Sequence, residues 1–146
     1  MPPIVTSIEI DRPPEVVFPF VIDPSKFPSW QPAVLAGEMD RDPVCVGAVC
    51  TTTRKIGGAA REIHSEITEY DPPRRWADHG TDGPIRGIVT VDVEPLADGV
   101  RSRVTIALDF EGRGIGKLLV PLVVRRQAAG EMPDNMRRLK DVLEVS

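Results

Sequence analysis

The sequence predicts an α+β domain in which a curved antiparallel sheet of about seven strands wraps one long C-terminal helix. Three observations point there. Apolar residues alternate with a period of two from Gln31 onward; from Ile115 to about Glu144 they recur at steps of three and four; one strand and two short helical stretches precede both. At 146 residues and 41% hydrophobic, the chain has the size of one globular domain spanning residues 1–146, able to bury roughly 68% of its unfolded surface.

The first strand is read at Ile4 to Ile10, where Ile4, Thr6, Ile8 and Ile10 share one parity. Asp11-Arg12-Pro13-Pro14-Glu15 then supplies a capping residue, prolines suited to a first helical turn and an acid near the positive helix end. A short helix follows, with Val16, Val17, Phe20 and Val21 on its apolar side and Pro19 expected to bend it or cut it short. Asp23-Pro24 opens a second brief turn that ends near Trp30.

Turn signals at Asp40-Arg41-Asp42-Pro43, Gly57-Gly58, Asp71-Pro72-Pro73, Asp82-Gly83-Pro84 and Ala97-Asp98-Gly99 separate six further strands. These are Ala33 to Met39, Val44 to Arg54, Arg61 to Tyr70, Arg74 to Gly80, Ile85 to Glu94 and Val100 to Phe110. Alternation is clearest in the last, where Val104, Ile106, Leu108 and Phe110 face inward. In the terminal helix Ile115, Leu118, Leu119, Leu122, Ala129, Met132, Met136, Leu139 and Leu143 form the expected core stripe. Such a helix spans roughly 45 Å and needs a partner surface of that length. Pro121 and Pro133 predict kinks, with a bend near Gly130 to Pro133.

Composition narrows the functional classes. The net charge is −4, with 18 basic residues scattered among 22 acidic ones, so no basic field is available for nucleic acid. No charged and apolar leader is read at the N-terminus, and the most apolar run, Ile115 to Val124, is too short for a bilayer span. A cytoplasmic protein without stable membrane insertion is expected. Cys45 and Cys50, five positions apart in an extended stretch, point to opposite faces and read as free thiols. Neither a metal site nor a cofactor is expected, and a homodimer is left open.

Several segments resemble the START-like (SRPBCC) superfamily in its polyketide cyclase/dehydrase branch. They are Arg12 to Phe18, Asp23 to Trp30, Glu66 to Arg74, Asp98-Gly99 leading into Val104 to Ile106, and Leu139-Lys140. The resemblance implies a helix-grip fold, in which seven strands and the terminal helix enclose a hydrophobic cavity. Members range over cyclases, lipid carriers, hormone receptors and co-chaperone-like modules, so fold is specified better than chemistry.

The leading expectation is a receptacle for a polyketide-, aromatic-, sterol- or lipid-like molecule. Its wall is read as Trp30, Ile67, Trp76, Val89, Val91 and Leu108, facing Leu119, Val123 and Met132 of the helix. Burying roughly 300 Å² of apolar ligand contributes about 7 kcal/mol before association costs. The alternative is a cyclase, aromatase or dehydratase in which Asp78, Arg74 or Ser65 assists proton transfer. Trp76 facing inward would carry Arg74 and Asp78 with it by parity, to pair, to anchor a ligand or to sit at the strand ends. His64, between Glu62 and Glu66, suggests a tuned base, but inward Ile63, Ser65 and Ile67 turn all three to solvent. His79 reads as a surface residue, and Arg125-Arg126 with Arg137-Arg138 as a solvated face or an anionic docking surface. A third reading is a protein-interaction module with a filled interior and an exposed apolar patch.

Overall fold

A computed structural model of the chain describes residues 2–145, leaving Met1 and Ser146 outside the described residues. Seven antiparallel strands form one sheet in the order β1-β7-β6-β5-β4-β3-β2. They are β1 (Ile4–Ile10), β2 (Val34–Met39), β3 (Val49–Ile56), β4 (Ala59–Asp71), β5 (Arg75–Gly80), β6 (Ile85–Leu96) and β7 (Arg101–Gly112). Between β1 and β2 lie the helix α1 (Pro14–Val21) and a 3₁₀ segment, Pro24–Ser29. The long helix α2 covers residues 116–145 and completes the helix-grip fold.

Local chemistry explains the boundaries. α1 starts with Pro14 and Glu15 in its first turn and ends two residues after Pro19. Asp23 caps the 3₁₀ segment, its carboxylate accepting from the Ser25 amide at 3.0 Å and the Ser25 hydroxyl at 2.7 Å. Gly57 and Gly58, both at positive φ (60° and 85°), make the tight β3–β4 turn. β3 begins at Val49 and not at Val44 as expected, because Pro43 and Gly47, the latter at φ 94°, interrupt extended pairing. Cys45 is consequently exposed outside a strand while Cys50 is buried within one, and both are free.

The larger core cluster joins α1 and the 3₁₀ segment, through Val17, Phe18, Val21 and Phe27, to Ile67, Val91, Val104 and Ile106 of the sheet. Met132, Met136, Leu139 and Leu143 of α2 close it. A smaller cluster at the other end of the sheet gathers Ile85, Val120 and Val124, with Ile56, Phe110 and Leu119 packed against them. The far end of α2 is latched by polar contacts. Lys140 donates to the Glu9 carbonyl at 2.9 Å and to Glu144 at 2.7 Å, and Glu144 accepts the Asp11 amide at 2.8 Å. At its near end Arg125 pairs with Asp109 at 3.0 Å.

The helix departs from its expected stripe. Ile115, Leu118, Leu122 and Ala129 are exposed, and the sheet-facing side chains run instead through Val120, Val124, Met132, Met136, Leu139 and Leu143. The cause is a π-helical turn at Val120–Val124 containing Pro121. A wider i→i+5 turn changes the helical phase, so the first turns present a different side than an uninterrupted α-helix would. The α-helical segment Arg125–Val145 continues through Gly130 and Pro133, and the interruption in helix type falls at Pro121 instead. Gly116 lets the helix start in close contact with the β5–β6 connection: a Cβ there would overlap the Pro84 carbonyl oxygen.

Leu139 is completely buried. Leu139→Ala is expected to lower the unfolding free energy by about 3 kcal/mol in urea titration. Leu118→Ala, at a side chain 64% exposed, is expected to change it by less than about 0.5 kcal/mol.

Candidate ligand-binding site

Between the two core clusters the sheet and α2 do not meet. The helix residues facing the sheet between Val124 and Met132 are Gln127, Ala128 and Glu131. One is small and two are polar, so none fills the gap that a leucine at that level would close. The result is a cavity of about 160 Å³.

Strand register builds its floor in rows. Asp78 of β5 pairs with Val89 of β6, which pairs with Leu108 of β7. Trp76, Val91 and Ile106 form the next row, and all six side chains line the cavity. Across β3 and β4, Cys50 pairs with Ser65, bringing a polar pair beside Asp78. Trp30 closes the wall from the end of the 3₁₀ segment, stacked edge-on against Phe27 with ring centroids 6.0 Å apart. The rim is the exposed Lys55 with the half-buried Gln127 and Glu131. Gln127 ties the β3–β4 hairpin to α2 there, donating to the Lys55 carbonyl at 2.7 Å and accepting from the Gly57 amide at 2.9 Å.

One end of this apolar chamber is polar. The Ser65 hydroxyl donates to an Asp78 carboxylate oxygen at 2.8 Å, and both residues are buried. Arg54 extends into the same region, donating to the Thr52 hydroxyl at 3.2 Å and the Gln31 side-chain amide oxygen Oε1 at 3.3 Å, with its guanidinium 5.9 Å from the Phe27 ring centroid. Burial pushes the Asp78 carboxyl up to about 6, with Ser65 and Arg54 pulling the other way. It also pushes the Cys50 thiol up to about 12, helped by the nearby Asp78 charge, and lowers Arg54. The Nε1 atoms of Trp30 and Trp76 are buried with no hydrogen-bond partner among the described residues, and both side chains line the cavity. Buried donors left unpaired by the protein are uncommon.

Six of the nine residues expected on the wall stand on it: Trp30, Trp76, Val89, Val91, Leu108 and Met132. Three do not. Ile67 belongs to the larger core cluster, Leu119 packs on the smaller one, and Val123 approaches the Gly57 turn; the π turn accounts for the two helix residues. Ser65 and Asp78 converge inside, but Arg74 is exposed one residue before β5, in the turn where its amide bonds the Asp71 carbonyl at 2.8 Å. With Lys55 at the rim, the cationic side chain that reaches the polar region beside Asp78 is Arg54. Its signal was the shared parity of Cys50, Thr52 and Arg54, masked because Thr51 and Thr53 make the other face of β3 equally polar. His64 faces outward between Asp82 at 2.9 Å and Glu62 at 3.0 Å, and His79 lies 3.5 Å from Glu111. Among the described residues no cluster of three His, Cys, Asp or Glu could hold a metal, and no helix is long and apolar enough to cross a membrane.

The helix-grip fold agrees with the family comparison. The model for polyketide cyclase/dehydrase and lipid transport proteins matches residues 1–144, and the chain belongs to that family. No curated protein sequence matches it. Among solved structures, a START superfamily protein from Mycobacterium smegmatis superposes with a TM-score of 0.78 at 14% identity, covering 99% of this chain and 98% of that one. A Thermus thermophilus protein gives 0.77 at 19% identity, with 97% of each chain covered. The Zhui aromatase/cyclase from a Streptomyces species gives 0.76 at 14% identity, covering 97% and 93%. At these identities the likeness is one of fold.

The Asp78 carboxyl supplies a pH test. An unfolded aspartate releases its proton near 3.8 and Asp78 near about 6, so between those values the folded state holds more proton. Stability therefore falls as pH rises through this window; the contribution is complete below about pH 4 and lost above about pH 6. Asp78→Asn cannot ionise, so its stability relative to wild type is expected to improve by up to about 3 kcal/mol between pH 4 and pH 7, measured by urea unfolding across that range.

Proposed function

We propose that this protein binds a compact, mostly apolar molecule of one or two rings, with a hydrogen-bond-accepting end directed toward Arg54. The observation carrying this reading is the combination of apolar rows on β5, β6 and β7 with the half-buried Arg54 guanidinium and the Ser65–Asp78 pair among the lining residues. Size argues for a small occupant. Roughly 150 Å³ is enough for a benzene-sized guest, whereas drug-sized ligands occupy roughly 300 Å³ or more. A sterol or an extended lipid would require the hairpin and α2 to part at Gln127.

The probe is 2-naphthol, which has two fused rings and one hydroxyl. It is expected to raise the melting temperature of wild type in a concentration-dependent manner. Ala128→Phe places a ring in the gap beneath α2, and is expected to abolish that shift while leaving the protein folded by circular dichroism. A 2-naphthol shift that persists undiminished in folded Ala128→Phe contradicts the assignment.

A second reading, cyclisation or dehydration of a polyketide-like substrate, is favoured by one observation: a buried carboxyl near pH 6 beside a hydroxyl donor, suited to proton exchange at neutral pH. In that reading Asp78 takes a proton from an activated carbon while the walls fold the chain. It predicts that Asp78→Asn still binds 2-naphthol but loses at least about tenfold in product formation from a poly-β-keto thioester. Unchanged turnover in Asp78→Asn removes Asp78 from the chemistry.

A further inference from the structure

The π turn that carries Val120 and Val124 onto the sheet leaves three large apolar side chains of the same segment in solvent: Ile115 at 63%, Leu118 at 64% and Leu122 at 58% exposure. Spaced by three and four residues, they form one stripe along the first turns of α2. The charged groups around this stripe are largely cationic. Arg113, Lys117 and Arg126 are exposed beside it; Arg113 has Glu111 at 3.7 Å, while neither Lys117 nor Arg126 has an acidic partner within 4 Å among the described residues. On a chain of net charge −4 this is a local reversal of sign. The opposite side of the same turns, at Val124, is cavity wall, and Gln127 of the cavity rim follows one turn later.

We propose that the stripe formed by Ile115, Leu118 and Leu122, with Arg113, Lys117 and Arg126 around it, is a docking face for an anionic phospholipid surface. Aliphatic side chains enter the headgroup boundary while guanidinium and ammonium groups meet lipid phosphates, an arrangement that favours lying on a bilayer over crossing it. The charge complementarity selects this occupant over a second copy of the chain, which would set the same cations against one another across a two-fold axis. Docking here would bring the cavity rim near the membrane, but it does not depend on the identity of any cavity ligand.

The test is co-sedimentation of the full chain with vesicles of phosphatidylcholine alone and of phosphatidylcholine mixed with phosphatidylglycerol. Binding is expected only to the mixed vesicles and is expected to weaken as salt is added. The double variant L118S/L122S is expected to bind about tenfold more weakly, and K117E/R126E to show no preference for the mixed vesicles. All four positions are exposed, so both variants are expected to keep the wild-type melting curve; should L118S/L122S fail to fold, the charge-reversal pair decides alone. Absence of wild-type binding to mixed vesicles at low salt, or undiminished binding by folded K117E/R126E, overturns the proposal. So does a wild-type dimer in sedimentation velocity that L118S/L122S dissociates, since the stripe is then a self-interface.

Discussion

The structure depends on a helix that is held to its sheet at two places and left unsupported between them. At one end Val120 and Val124 settle onto Ile85 and Phe110; at the other Met136, Leu139 and Leu143 enter the main core, reinforced by Lys140 and Glu144 against β1. Close packing normally removes such a gap by placing a large side chain in it. Here Ala128 occupies the level where that side chain would stand, flanked by Gln127 and Glu131. The cavity is thus a consequence of residue size on one helical turn, and the curvature of seven strands around two anchor points keeps it open.

The polar end of the chamber has a different energetic logic. Burying Asp78 and Arg54 costs free energy that the single Ser65 hydrogen bond and two modest Arg54 contacts offset only in part. A well-packed apolar patch in their place would be more stable. These groups make a part of the cavity wall whose hydrogen-bonding capacity the described residues satisfy only in part. In the proposed reading, an oxygen acceptor on the occupant would complete it.

Most of the fold was legible because it rests on short-range rules. Period-two alternation marked the strands, Gly57-Gly58 and Asp23 marked turn and cap, and the opening segments carried the family resemblance. The inward setting of Ser65, Trp76 and Asp78 followed from parity alone. What sequence could not show were features set by interruption and by distance. A single π turn re-phased the helix and exchanged Leu118 and Leu122 for Val120 and Val124; the late start of β5 put Arg74 in solvent; and Arg54 reached the site from a strand whose two faces look alike in composition. The exposed stripe arises from that same re-phasing.

The most direct test of the unfilled gap beneath the helix is to see a guest inside it. Nuclear Overhauser contacts between 2-naphthol protons and methyl groups of isotope-labelled protein report position independently of affinity. Contacts are expected to Val89, Val91, Ile106, Leu108 and Met132, whose methyl groups are among those lining the cavity. Contacts confined to surface methyls such as those of Leu118 and Leu122, with none to the interior set, would contradict this expectation.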